Sequence, residues 1–158
     1  MADLVPIQPQ YNAAIAAIIR NSLAEFGANL PGTVYFDPTT DDLASLFATA
    51  GKYWVLVQNG EVLGGGGWYP TPGLPDGYAE LVKLYLAPKA RGLGYGKLLM
   101  NKVAHDALNT GYTQLYLESL PQLHQAVKLY TQQGYTAIDA ALGESGHFGC
   151  TIFMIKKL

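Results

Sequence analysis

Residues 80–97, ELVKLYLAPKARGLGYGK, run from a strand-like apolar segment through a basic glycine loop into the start of a helix. Glycines at 92, 94 and 96 let the backbone turn tightly and leave N–H groups bare, and Lys89, Arg91 and Lys97 surround them with positive charge. A helix opening near Gly94 adds its unpaired amides and the positive end of its dipole, so the segment is suited to hold a pyrophosphate. Two better-known glycine loops are excluded. A G-x-G-x-x-G loop counted from Gly92 needs glycine where Lys97 stands, and a G-x-x-x-x-G-K-[ST] loop needs glycine at Arg91 and Ser or Thr at Leu98.

What the segment does match is R-x-x-G-x-G, Arg91-Gly92-Leu93-Gly94-Tyr95-Gly96, after an apolar strand ending in Pro88. Downstream, Gln114–Glu118 reads as a strand and Ala126–Tyr135, AVKLYTQQGY, as a helix with a tyrosine at 130. In order and spacing these three elements, spread over residues 80–136, resemble the GCN5-related N-acetyltransferases, whose acetyl-CoA loop is written [QR]-x-x-G-x-[GA] and whose later helix is written A-x-x-L-Y-x-x-x-G-[FY]. The resemblance fades over the first 52 and the last 20 residues, the parts that usually choose the acceptor.

The chain has 158 residues, 49% of them hydrophobic, enough for one domain over 1–158 with a normal core. Net charge is −2, which gives no bulk attraction to nucleic acid or to an anionic membrane. Against that background Lys83, Lys89, Arg91, Lys97 and Lys102 are crowded together with no acid between Glu80 and Asp106, where an anionic cofactor would go. Cys150 is expected to be a buried structural thiol. The start of the chain lacks a basic leader and its apolar stretch Ala13–Ile19 is too short to span a bilayer, so a cytoplasmic location is expected. No zinc motif links His105, His124 and His147, and no metal is expected.

The patterning predicts a strand over 3–8, a helix from Tyr11 with Ile15, Ile18, Ile19 and Leu23 on one face, and a short second helix capped by Thr40 or Asp41. Asn59-Gly60 between two strand-like runs predicts a tight hairpin. Four glycines, 64–67, lie inside its second strand and mark either a bulge or a close approach of substrate to backbone. Tyr78–Leu86 reads as the next strand. Leu98, Leu99, Val103, Ala107 and Leu108 should face the core from the helix that follows. A parallel strand at 114–118, a helix from Pro121, and strands near Tyr135–Asp139 and Phe148–Lys156 complete the chain. The order β-α-α-β-β-β-α-β-α-β-β is that of the resembled family: an α/β chain of α+β type, with a mixed, mostly antiparallel twisted sheet of about seven strands and about four helices.

Acetyl transfer from a thioester to an amine needs a held donor, a neutral amine and a proton for the departing thiolate. The resemblance assigns the backbone of Leu84, Tyr85 and Leu86 to the pantetheine arm. It assigns Arg91, Gly92, Leu93, Gly94, Tyr95, Gly96 and Lys97 to the pyrophosphate of acetyl-CoA, the cosubstrate. Glu80, eleven residues before Arg91, stands at the offset of the general base in the histone-acetyltransferase branch; Glu118 is the competing carboxylate, and a solvated strand residue the plain alternative. Tyr130 matches the tyrosine that protonates the CoA sulfur in many members, yet it also continues the apolar stripe of Leu123, Ala126 and Val127. Leu123 departs from the family, which often has Asn there contacting the pantetheine arm. Acceptor choice falls to Phe26–Phe36, Trp68, Tyr69 and the loop Ser145–Phe148.

The expected activity is therefore acetyl-CoA-dependent N-acetylation of a primary amine, on a small molecule or a peptide, by direct attack in a ternary complex. A non-catalytic acetyl-CoA-binding regulatory domain is the alternative, with a purely structural domain behind it. A homodimer is left open.

Overall fold

The computed structural model describes residues 2–158. In chain order the elements are β1 (Asp3–Pro6), α1 (Asn12–Glu25), α2 (Leu43–Thr49), β2 (Lys52–Gln58), β3 (Glu61–Tyr69) and β4 (Tyr78–Leu86). They continue with α3 (Tyr95–Thr110), β5 (Gln114–Ser119), α4 (His124–Gln132), β6 (Thr136–Ile138) and β7 (Ile152–Lys157). All seven strands join one sheet in the order β1-β2-β3-β4-β5-β7-β6. Every neighbouring pair is antiparallel except the central one, β4 with β5. This is the expected mixed, mostly antiparallel sheet with four helices. Ile15, Ile19 and Leu23 of α1 and Leu43 and Phe47 of α2 bury one face of the sheet, while Leu99, Met100, Val103 and Ala107 of α3 and Tyr130 of α4 bury the other.

Local chemistry explains most boundaries. Asn59 and Gly60 both take positive φ, 51° and 79°, as a two-residue hairpin that follows the twist of its strands requires. Gly111, at φ 112°, ends α3 by returning its N–H to the Ala107 and Leu108 carbonyls. Several expectations are corrected. The cap of α2 is Asp42, which accepts the Ser45 N–H; Thr40 and Asp41 belong to a preceding 3-10 turn opened by Asp37. The core face of α3 is turned toward Gly96, Leu99, Met100, Val103 and Ala107, leaving Leu98 and Leu108 exposed. The last strand starts at Ile152, so Phe148 lies in the preceding loop.

The four glycines resolve into a packing device. Tyr53 on β2 lies across β3: a Cβ on Gly65 would stand 2.7 Å from its ring, and one on Gly67 would stand 2.8 Å from its ring and 2.3 Å from the Lys52 carbonyl. On the opposite face, a Cβ on Gly66 would stand 2.6 Å from the Leu84 side chain. Opposite this run β4 carries an extra residue: Gly65 pairs with Tyr85 and Gly67 with Val82, so Lys83 and Leu84 together face Gly66. Lys83 sits at φ 52°, and its carbonyl accepts the buried Tyr53 hydroxyl at 2.7 Å. The strand is bare of side chains where a neighbour's ring crosses it to pin a bulge.

Tyr53→Phe keeps the ring and deletes that donor, leaving the Lys83 carbonyl unpaired. It is expected to cost about 1–3 kcal/mol in urea unfolding, and Gly67→Ala should cost more, because the methyl meets backbone that cannot step aside.

Candidate active site

β4 and β5 pair only over Tyr78–Glu80 with Gln114–Tyr116. Beyond those residues β4, bulged at Lys83, continues against β3, and β5 continues against β7. The facing strand edges therefore part and leave bare backbone groups, the kind of edge to which an extended ligand adds as a strand. Between them lies a cavity of 360 Å³, lined on the β4 side by Glu80 and Val82–Leu86 and on the β5 side by Glu118, Ser119 and Leu120.

The glycine loop stands at one end of this cavity, with Arg91, Gly92, Gly94, Gly96 and Lys97 in its lining. Gly92 and Gly94 take φ 75° and 86°, and a Cβ on either would meet open space, so their role is conformational. Gly96 differs: a Cβ there would come within 2.8 Å of Leu129, which lets α4 close against the start of α3. The first N–H of α3 received by a backbone carbonyl is that of Leu98, on Gly94, and no side chain caps the helix. The N–H groups of Tyr95, Gly96 and Lys97 are thus left for another acceptor. The cations divide differently from the sequence expectation. Arg91 donates to the Leu86 carbonyl at 3.2 Å, Glu25 at 2.7 Å and Ser22 at 3.3 Å, tying the loop to α1. Lys89 pairs with Glu61, Lys102 covers the Trp54 ring, and Lys83 lies 3.7 Å from Asp37. Lys97 is exposed and has no ion pair among the described residues. Leu93 is exposed, and Tyr95 packs half-buried against a small cluster with Leu56, Leu63 and Ala90.

Elsewhere in the cavity, three groups distant in sequence converge. Glu80, Glu118 and His147 each bring one oxygen or nitrogen within 4.8 Å of the others, an arrangement that suits an ammonium or a metal cation. Glu80 is buried and accepts the Thr71 hydroxyl at 2.8 Å. Burial lifts its carboxyl from 4.5 to about 7; Thr71 opposes, the Glu118 charge adds to the rise, and His147 and Lys83 oppose. Glu118 accepts the Tyr116 hydroxyl at 2.6 Å and the Ser145 hydroxyl. His147 Nε2 stands 2.8 Å from Asp37 Oδ2, and that bond, with Thr39 and Lys83, holds Asp37 well below the usual carboxylate range against its burial.

Tyr130 also lines the cavity, its ring edge-on to Tyr135 at 6.0 Å, and burial pushes its hydroxyl up to about 12. Tyr85 faces the same space, raised by burial and by the nearby Tyr130 and Cys150. Cys150 is only half-buried and belongs to the cavity wall, a correction to the expected buried structural thiol. Burial, with the charges of Glu118 and Glu80, pushes it up to about 12, so it stays a thiol. Of the expected acceptor-selecting residues, Phe26, Thr33, Val34 and His147 line the cavity. Trp68 does not: it is buried against α3 and donates to Asp106 at 2.7 Å. Leu123, where the family often has Asn, contributes an apolar wall.

A sheet parted at its one parallel pair, with an uncapped glycine-loop helix at the opening, suits an extended ligand that ends in an anion. The family model described as the acetyltransferase (GNAT) family matches residues 18–135, and the chain belongs to that family. It is 38% identical over 151 residues, 94% of this chain and 90% of the other, to the uncharacterized N-acetyltransferase YjgM of Escherichia coli K12. A GNAT-family acetyltransferase from Staphylococcus aureus Mu50 superposes with a TM-score of 0.88 at 18% identity, covering 100% of this chain and 99% of that one. A phosphinothricin acetyltransferase from Sinorhizobium meliloti, solved with acetyl-CoA, gives 0.76 at 23% identity over 99% of this chain and 88% of that one. The family consists of N-acetyltransferases that use acetyl-CoA as cosubstrate. No described helix is long and apolar enough to cross a membrane.

The raised Glu80 carboxyl carries a stability signature. Because its folded value of about 7 exceeds 4.5, the protonated form is favoured by folding; the wild type loses stability as pH rises between those values, by on the order of 3 kcal/mol in all. Glu80→Gln, which keeps an acceptor for Thr71, should match the wild type in urea unfolding at pH 4.5 and exceed it at pH 8.

Proposed function

We propose that residues 1–158 act as one domain that transfers the acetyl group of acetyl-CoA to a primary amine by direct attack, with Glu80 as general base and Tyr130 as general acid. One observation carries this reading. A single cavity has an uncapped helix start at the glycine loop, a buried carboxyl whose proton affinity is set near neutrality, and a buried tyrosine on its wall. In this reading the bare edge of Leu84–Leu86 receives the pantetheine amides, and the N–H groups of residues 92–97, with Lys97, receive the pyrophosphate. Glu80 takes the proton from the acceptor nitrogen, which attacks the thioester carbonyl. As the carbon–sulfur bond breaks, Tyr130 gives its proton to the sulfur. Glu118, held by two hydroxyl donors, stands beside Glu80, and its charge adds to the rise in the proton affinity of Glu80.

Saturating acetyl-CoA should raise the melting temperature, as a ligand selective for the native state must. Gly94→Asp should abolish the shift by placing a carboxylate where phosphate binds, at a cost in the apo protein of about 1 kcal/mol for a tolerated residue at positive φ. A melting temperature that does not move in the wild type removes the cofactor assignment.

In steady-state kinetics, log kcat/KM should climb with pH to a bend near 7, set by Glu80. Glu80→Gln should lose that bend and about 10²–10⁴ in rate. Tyr130→Phe should lose about ten- to a thousand-fold in kcat, with acetyl-CoA affinity and stability retained. Full kcat in Tyr130→Phe would make the residue a packing element.

A further inference from the structure

Lys83 is a buried cation that acetyl transfer itself does not require. Its side chain is 5% exposed, and its one ion-pair partner among the described residues is Asp37, 3.7 Å away and beyond hydrogen-bond reach. Asp37 is already engaged. Its Oδ2 meets His147 Nε2 at 2.8 Å, and its Oδ1 accepts the Thr39 N–H at 2.9 Å and the Thr39 hydroxyl at 2.7 Å. No hydrogen-bond acceptor among the described residues stands within 3.5 Å of Lys83 Nζ, which lines the cavity; burial lowers the pKa of this amine, and the charges of Asp37 and Glu80 oppose that fall.

The backbone adds a second sign. Regular alternation from Ala79 and Leu81, which face α3, would send residue 83 the same way. Instead the bulge holds Lys83 at φ 52°, a conformation unfavourable for a long side chain, and turns it into the cavity that Glu80 lines. The pinning bond from Tyr53 is made to this residue's own carbonyl.

We infer that Lys83 anchors a carboxylate on the acceptor, so that the acceptor is a free amino acid with its amine against Glu80 and Glu118 and its carboxylate on Lys83. This rests on the acetyltransferase reading above. A zwitterion satisfies both ends of the charge pattern at once. A plain amine leaves the Lys83 donors unpaired, and a peptide amino terminus presents a neutral amide where the anchor needs an anion. Leu23, Phe26, Val34 and Val82 supply apolar walls to the same cavity, which suits an aliphatic side chain.

The test follows CoA thiol release with the proteinogenic amino acids, then with matched compounds differing only at the carboxylate: leucine, leucinamide and 3-methylbutylamine. Leucinamide has the most easily deprotonated amine of the three, so chemistry alone would favour it. Wild type should instead prefer leucine in kcat/KM by about a hundredfold, and Lys83→Met should collapse that ratio. Acetylation of amines but of no free amino acid overturns the anchor, as do an unchanged ratio in Lys83→Met or acetylation of Lys83 itself in peptide mass mapping. Absence of thiol release with every amine counts against the acetyltransferase reading instead, and binding then decides the anchor. In protein saturated with CoA, leucine should raise the melting temperature of wild type and not of Lys83→Met; no rise in wild type overturns the inference.

Discussion

The hydrogen bond from Tyr53 to the Lys83 carbonyl holds the feature on which the site depends. A sheet whose central pair stayed in register would have no opening: β4 and β5 would satisfy each other's backbone to their ends. One extra residue in β4 changes this, because the strand then follows β3 while β5 follows β7, and the pairing stops at Glu80 and Tyr116. The bulge puts a bulky side chain at positive φ, which costs energy, and a buried carbonyl would add to the cost if left unpaired. The Tyr53 hydroxyl removes the second cost. Its ring can reach that carbonyl only by crossing β3, and it crosses where Gly65 and Gly67 present no Cβ. Bulge, tyrosine and glycines form one mechanical unit, and the cavity is its product.

The electrostatics of the cavity follow from how two carboxylates are furnished. Glu118 accepts a hydroxyl on each of its two oxygens, which fixes its orientation in the cavity. Glu80 has one donor and deeper burial, and it also feels the Glu118 charge. The proton affinity of Glu80 is thereby lifted to about 7, the range that suits the proposed base. The arrangement depends on loops far apart in the chain. Gly149 donates to the Gly32 carbonyl at 2.7 Å, and a Cβ on Gly149 would stand 2.5 Å from the Pro31 carbonyl, so the two loops meet backbone to backbone. That contact brings His147 to Asp37.

Much of this architecture was legible in the sequence because it is locally encoded. The glycine loop, the Asn59-Gly60 hairpin, the cap at Gly111 and the single parallel pair each follow from a few adjacent residues and the handedness of short connections. Sequence alone does not separate the covered stripe of α3, because Leu98 and Leu108 are as apolar as Leu99 and only the placement of the sheet decides which stripe is covered. The cap of α2 falls one residue beyond the two expected, since Thr40 is recruited to the Val34 carbonyl and Asp41 to Arg20, which leaves Asp42 for the Ser45 N–H. The glycine run was readable as a bulge, but its cause lay on another strand. Proximity in sequence groups Lys83 with the cations of the glycine loop; the bulge, invisible to periodicity, sends it to Asp37.

The same contrast separates the two ends of the cavity. At the glycine loop the open groups are backbone N–H donors ordered by φ, and Arg91 is committed to Glu25, Ser22 and the Leu86 carbonyl. Arg91 fixes the position of the loop, and in the proposed function recognition of phosphate falls to the helix dipole, to the orphan amides and to Lys97. Such a site needs only glycines at set spacings, and a short motif can encode it. The other end is made of side chains contributed by β4, β5 and two loops, with Thr71, Tyr116 and Ser145 placing the charges. No short motif can encode an arrangement whose members meet only through the fold. That is why the cosubstrate is written in the chain and the acceptor has to be read from the geometry around Lys83 and Glu80.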